Sequence, residues 1–512
     1  MKAIVFIKKR VWVFIRKFAI VRLYIVMTLK PQIILLASAL LIASCCQRTV
    51  SRSTQCLSSL ETSSKATTVQ TVSGPVAGYI DDGVFIYKGI PYAKADRFAE
   101  PSDPEPWKDV RPSRAYGPTC PQDKRMGWYD DNQAFAMHWD DGFPDEDCLR
   151  VNIWTSAIKD DARMPVMVWL HGGGFRAGSG QEQIGYDGTN LARDHGVVVV
   201  SLNHRLNALG FLDLSAYGAK YAHSGNLGMI DIVKALEWVR DNIRNFGGDP
   251  SNVTIFGQSG GGGKVSTLMA MPSAKGLFSK AIVQSGSITN LLDPKYSRRI
   301  GAATVKNLGL NPSKIDDIAS IPYEKLLEAY NKAIASVRDE AAQDGTLPEN
   351  ILDKILFGQT PVVDGDVIPF QPSTQDALAL SKDVPVIIGT TYHEFTRNME
   401  DPIFKPLADK QADERTRFGC APVYKYVFTW ESPVLDGVLG STHCMEIPFV
   451  FDNVLLHRTM TGGADDAVAL GHRISRLWTS FAKTGKPAAD GMPEWEAWPA
   501  TLIINSESVL VK

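Results

Sequence analysis

One pentapeptide in the chain has the makings of a nucleophile. Gly257-Gln258-Ser259-Gly260-Gly261 fits G-x-S-x-G and lies between the β-branched run Val253 to Phe256 and a small-residue stretch from about Gly262 to Met271. The run predicts a strand and the stretch a helix, so Ser259 stands on a sharp strand-to-helix turn. A serine held there adopts a backbone conformation that side chains resist, and neighbours lacking side chains permit the close approach. The helix that follows directs its positive end toward a developing oxyanion. The pentapeptide alone is a weak signal, because a flexible glycine turn would look the same; the strand before it and the helix after it favour the nucleophile.

Such a serine needs two kinds of help. The first is a pair of amide donors for the carbonyl oxygen it attacks. His171-Gly172-Gly173-Gly174-Phe175 follows the apolar run Val166 to Leu170, and its exposed amides, those of Gly173 and Gly174 with that of Gly260, suit an oxyanion hole. His171 itself is expected to be structural. The second is a base with a carboxylate to orient it, which in a strand-turn-helix serine site come later in the chain, acid first. Nine histidines are available, and His443, His457 and His472 all come late enough. For the acid, Glu394 follows the strand Val384 to Ile388 and Gly389, and Asp364 in Pro361-Val362-Val363-Asp364-Gly365 is its rival.

The elements that must position these groups are legible as an alternation. Short β-branched runs, Val166 to Leu170 and Val197 to Leu202 among them, alternate with amphipathic stretches such as residues 228 to 246, where Met229, Ile232, Val233, Leu236, Val239 and Ile243 recur at helical spacing before Gly247-Gly248-Asp249-Pro250. That pattern predicts an α/β fold, a central and mostly parallel sheet flanked by helices.

On these same residues the chain resembles the type-B carboxylesterases, the family of the bacterial para-nitrobenzyl esterases and, more distantly, of acetylcholinesterase. Residues 246 to 261, from Phe246 to Gly261, look like its serine signature, and Glu146-Asp147-Cys148-Leu149-Arg150-Val151-Asn152-Ile153 looks like its second signature. Tyr87-Lys88-Gly89-Ile90-Pro91-Tyr92-Ala93, Asn226-Leu227-Gly228-Met229 and Gln284-Ser285-Gly286 agree, and the resemblance runs over roughly residues 69 to 500. It implies the α/β-hydrolase fold and hydrolysis of a small-molecule ester through a Ser-Glu-His triad and an acyl-enzyme, without metal or organic cofactor. It selects His443, whose surroundings Leu439 to Phe451 look like the family's catalytic-histidine loop, and Glu394 over Asp364, which falls in a structural turn. It also implies a disulfide between Cys120 and Cys148. Relatives that have lost the triad serve as binding proteins, and the same triad could serve an amidase; the chain retains all three residues, and esters demand less of the histidine as an acid.

Four departures from the family stand out. Gln258 replaces a usual glutamate beside the serine, Gly260 replaces a usual alanine, and Phe395 follows Glu394 where glycine is common. Only 49 positions separate Glu394 from His443, which predicts a shorter wall around the leaving group and a more open site. Trp128 and Trp139, in the loop between Cys120 and Cys148, match no cation-binding tryptophan of the family convincingly and are expected to pack or to belong to a solvated acidic face.

Charge and composition bound the rest. The 512 residues carry a net charge of −2, but residues 1 to 44 hold eight Lys or Arg and no acid, which leaves 46 basic against 56 acidic residues, a balance of −10, in the remainder. Such a body is a poor match for nucleic acid. Residues 31 to 44 form an apolar run too short to span a bilayer, preceded by Lys30 and ended by small residues, as in an export signal. Ile42-Ala43-Ser44-Cys45 resembles a bacterial lipobox, which would lipidate Cys45 and tether the chain to a membrane; an ordinary cleaved signal is the alternative. Met27 would open a compact signal by itself. The expected organisation is residues 1–44 as basic segment and signal, 45–68 as a tether in which Ser and Thr make up half of residues 47 to 68, and 69–512 as one catalytic domain. The expected location is periplasmic or outer-membrane, or secreted.

Overall fold

A computed structural model describes residues 60–123, 131–137, 139–140, 142–395 and 399–512. The basic segment, the apolar run, Met27, Cys45, most of the tether and Trp128 lie outside the described residues. The strands, in chain order, are β1 (Thr68–Gln70), β2 (Pro75–Ala77), β3 (Tyr79–Asp81), β4 (Val84–Pro91), β5 (Arg111–Pro112), β6 (Arg150–Thr155), β7 (Met164–Leu170), β8 (Val198–Leu202), β9 (Gly248–Gln258), β10 (Lys280–Gln284), β11 (Val386–Thr391), β12 (Val423–Phe428), β13 (Thr501–Ile504) and β14 (Val509–Val511). Strands β1, β2 and β5 make a small sheet; the other eleven form one sheet in the order β14-β13-β12-β11-β10-β9-β7-β8-β6-β4-β3. From β8 through β13 the neighbours run parallel, and the antiparallel pairings fall toward the two edges. This is the mostly parallel α/β sheet that the alternation predicts.

Both faces of the sheet are covered, which is why its central strands read as continuous apolar runs. Side chains alternate between the faces, so Val166, Val168 and Leu170 of β7 enter one core and Met167 and Trp169 the other. Val198 and Val200 separate from Val199 in the same way. Helix Leu227–Asn242 closes the first core with Met229, Ile232, Leu236 and Val239; helix Asp465–Thr484 closes the second with Leu470, Ile474, Leu477 and Trp478. Burying one such side chain contributes about 1.5–3 kcal/mol.

The register aligns the ends that carry chemistry. Leu170 of β7 pairs with Gly257 of β9, and Gln284 of β10 pairs with both Gln258 and Gly389 of β11. The loops after β7, β9 and β11 therefore leave the sheet side by side at one edge, the carboxyl ends of parallel strands, where open α/β sheets bind ligands.

Two differences from the sequence expectations concern the periphery. The folded body begins before residue 69: helix Ser64–Thr67 precedes β1, and Thr67 is buried, its hydroxyl donating to Gly78 O (3.2 Å) while its carbonyl accepts from Tyr87 Oη (2.9 Å). Ser/Thr-rich composition concealed this, because the stretch is held by hydrogen bonds to distant strands and not by apolar residues of its own. Cys120 and Cys148 are both buried and lie together, with a hydrogen bond between their thiols, but they are free thiols here and no bond joins them. That hydrogen bond, and then burial, raise the Cys148 thiol well above its ordinary range.

Candidate active site

Ser259 follows the last residue of β9 and precedes helix Gly260–Leu268. Its backbone sits at φ 57° and ψ −124°, a region that side chains avoid at a cost of about 1–3 kcal/mol. The surroundings hold it there: Ser259 N donates to Gln284 O (2.8 Å), and Ser259 O accepts from Gly263 N (3.0 Å). Glycine is needed on both flanks. A Cβ at Gly257 would meet Leu170 O and the Gly261 carbonyl carbon at 2.6 Å, and one at Gly261 would meet Leu170 O at 2.0 Å. The elbow thus packs against the end of β7 with no room for a methyl group.

The glycine loop after β7 lies against this elbow. Gly173 and Gly174 have φ of 76° and 63°, and a Cβ on Gly260 would fall 2.3–2.5 Å from the backbone of Gly174. A Cβ on Gly172 would come within 3.5 Å of Ser259 Cβ. Gly172 and Gly174 therefore lie against the serine elbow, with Gly173 between them in the chain.

Glu394 and His443 meet through two loops that pair with each other. Glu394 lies three residues beyond β11 with φ 44°, and its carbonyl accepts from His443 N (3.1 Å) and Thr442 Oγ1 (3.0 Å). Its side chain is almost wholly buried; Oε1 accepts from Thr391 N (3.0 Å), and Oε2 accepts a short hydrogen bond from His443 Nδ1. The imidazole is also buried and flanked by Phe404, with ring centroids 5.3 Å apart, and by the exposed Phe395, at 4.6 Å. Phe395 thus uses its position to cover the histidine. Asp364 is engaged elsewhere, accepting from Asn226 Nδ2 and from the amides of Asp366 and Ile368, as a structural turn does. His457 Nε2 contacts Ala136 O, and His472 binds Asp452, so neither faces the serine loop.

The structure stops short of one contact: Ser259 Oγ and His443 form no hydrogen bond. Gln258 lies beside the ring, its Nε2 3.3 Å from both imidazole nitrogens, and its Oε1 accepts from the Cys444 thiol (3.1 Å). This gives Cys444 a place, orienting the amide that stands where the family usually has a carboxylate.

Three charged or polar groups near the site were not foreseen from sequence. Glu446, one turn beyond His443, is buried, with Oε1 accepting from Gln284 Nε2 (3.1 Å) and Oε2 without a partner. Burial first, then the nearby charge of Glu394, push its carboxyl up to about 7. Lys264, the one charged residue of helix Gly260–Leu268, is fully buried behind the glycine loop. His204 stacks on His171, rings 5.0 Å apart, and burial holds both imidazoles well below their usual range. A lone lysine in a run of small residues was the only signal available for any of them.

A strand-end serine on a strained elbow, in a large mostly parallel sheet, defines an α/β-hydrolase. The chain belongs to the carboxylesterase family, whose model matches residues 65–419 and 404–507, and is a carboxylic ester hydrolase. It is 36% identical to the para-nitrobenzyl esterase of Bacillus subtilis over 493 residues, covering 86% of this chain and 95% of that one. It is 32% identical to the phenmedipham hydrolase of Pseudarthrobacter oxydans, with the same coverage. Among solved structures it superposes on an esterase from Clostridium hathewayi that hydrolyses aliphatic aromatic polyesters (TM-score 0.77, 33% identity, 87% of this chain and 95% of that one). A para-nitrobenzyl esterase structure follows at TM-score 0.74, 33% identity and 87% and 97% coverage.

Proposed function

We propose that the chain hydrolyses carboxylic esters through a Ser259-Glu394-His443 triad and an acyl-enzyme, and that its substrates carry an aromatic group close to the scissile bond. The observation that carries the triad is the buried Glu394–His443 pair, set on the loops that leave the same sheet edge as Ser259. Glu394 occupies Nδ1, which leaves Nε2 as the nitrogen for the serine proton. As Ser259 Oγ attacks the carbonyl carbon, His443 takes its proton and the amides of Gly173, Gly174 and Gly260 hold the oxyanion. The alcohol leaves with the proton from His443. Water then attacks the acyl-enzyme by the same route in reverse, and Ser259 is regenerated. Glu394 stabilises the imidazolium in both halves.

The aromatic preference is supported by the exposed ring of Phe395 beside His443, and by relatives named for para-nitrobenzyl and aromatic polyester substrates. The short segment between Glu394 and His443 supports an open site that admits bulky esters. Ser259→Ala assayed on p-nitrophenyl acetate tests the nucleophile: turnover should fall at least about 1,000-fold, and unchanged turnover would refute the assignment. Matched aryl esters and anilides separate esterase from amidase, with the ester expected to be much the faster. Export, and lipidation of Cys45, belong to the same reading; labelling with a radioactive fatty acid should mark the full chain and spare Cys45→Ser.

A further inference from the structure

Lys264 is the feature that the catalytic reading leaves unexplained. A fully buried ammonium is costly unless it is paired, yet the partners of its Nζ are backbone carbonyls and not a carboxylate. Its hydrogen bonds go to backbone carbonyls, His171 O at 2.8 Å and Gly172 O at 3.4 Å. Its Nζ also stands 5.9 Å from the centre of the Phe175 ring. It therefore binds the glycine loop just before Gly173 and lies near the ring that follows Gly174. The carbonyl of Gly172 belongs to the same peptide group as the amide of Gly173, and in a trans peptide the two point in opposite directions. A donor on that oxygen draws electron density from the nitrogen and strengthens the N–H on the far side. Gly172 O is doubly engaged, since His171 Nδ1 also lies against it at 2.9 Å.

We infer that Lys264 is a positioning residue for ester hydrolysis: its ammonium pins the carbonyl side of the glycine loop and polarises the Gly173 amide toward the oxyanion. This rests on the triad and oxyanion assignment above. The groups that face the ammonium are the His171 and His204 rings, the Phe175 ring and, at longer range, the Glu182 carboxylate, whose oxygens accept from Ser179 N and Tyr186 Oη. Burial brings the Lys264 ammonium down to about 7, Glu182 opposing that shift, so the charge is lost as pH rises above neutrality. A neutral amine still donates, but polarises the peptide less.

The test compares wild type with Lys264→Met and Lys264→Gln, the second keeping an N–H donor without charge. Active-site titration with a fluorophosphonate comes first: titration of wild type but not of Ser259→Ala upholds the triad, and failure to titrate wild type would sink that reading and the role of Lys264 with it. With titration in hand, Lys264→Met should lose roughly 10- to 100-fold in kcat with KM within about twofold, since the interaction is made to the transition state. Inhibition by a trifluoromethyl ketone, whose hemiketal places an oxyanion in the same hole, should weaken by the same factor, and Lys264→Gln should fall between. Wild-type kcat should decline above about pH 7.5 and the decline should vanish in Lys264→Met. Retained kcat and ketone affinity, or a loss confined to KM, would overturn the proposal. If neither variant folds, wild type decides it: kcat and ketone affinity that stay level from pH 7 to 9 would overturn it.

Discussion

Replacing Glu446 by glutamine should remove a pH dependence of folding that the wild-type chain carries. The Glu446 carboxyl is buried, holds one hydrogen bond from Gln284 and stands near Glu394; its proton leaves only at about 7 in the fold, against 4.5 for the ordinary group. Between those values the folded state keeps a proton that the unfolded chain has released, so the folded state is favoured at low pH and loses that advantage as pH rises. A shift of this size, at 1.36 kcal/mol per unit, amounts to about 3 kcal/mol over the whole range, most of it between pH 5 and pH 8. The substituted amide would keep the acceptor for Gln284 and carry no charge at any pH. Urea unfolding of both proteins at pH 5 and pH 8 gives a double difference in which the other carboxylates cancel. Glu446→Gln should gain about 2–3 kcal/mol relative to wild type on going from the lower to the higher pH. A double difference below about 0.5 kcal/mol would refute the claim that buried Glu446 keeps its proton up to about pH 7.

Further outcomes follow from other contacts. Phe395→Ala should raise KM for aryl esters several-fold and leave small alkyl esters nearly unchanged, as steady-state kinetics on matched pairs would show. Asp452, with φ 60°, accepts from His195 Nε2 (3.0 Å) and His472 Nδ1 (2.8 Å); burial would raise its carboxyl, but these bonds hold it below the ordinary range. Its contribution is present above the ordinary carboxylate value and is lost in acid, and Asp452→Asn should cost about 1–3 kcal/mol in urea unfolding at pH 6.

What could be read from sequence was what is contiguous. Ser259 and its flanking glycines, and Gly172 to Gly174, are encoded within five residues each, so strand, turn and helix are visible around them. Glu394 and His443 are 49 positions apart and meet through a two-loop pairing that no local pattern encodes; only the family resemblance singled them out. Lys264 and Glu446 were illegible for a different reason. Their behaviour comes from burial, and what buries them belongs to β7, β10 and loops far away in the chain. Ser64–Thr67 escapes a reading by composition, which registers a shortage of apolar residues and is blind to hydrogen bonds such as that from Thr67 to Gly78. Gln258 is visible in the sequence as a departure, but its tie to Cys444, 186 positions away, is not.

The central claim is that Ser259 carries the acyl group. Rapid mixing of the chain with a slowly deacylated p-nitrophenyl ester, quenching in acid during the burst and peptide mass mapping would test it most directly. The account predicts one acyl group per chain on the peptide bearing Ser259, absent from Ser259→Ala and, in His443→Ala, formed at least about 100-fold more slowly. Turnover at wild-type rate with no adduct on that peptide, or an adduct on another residue, would contradict it.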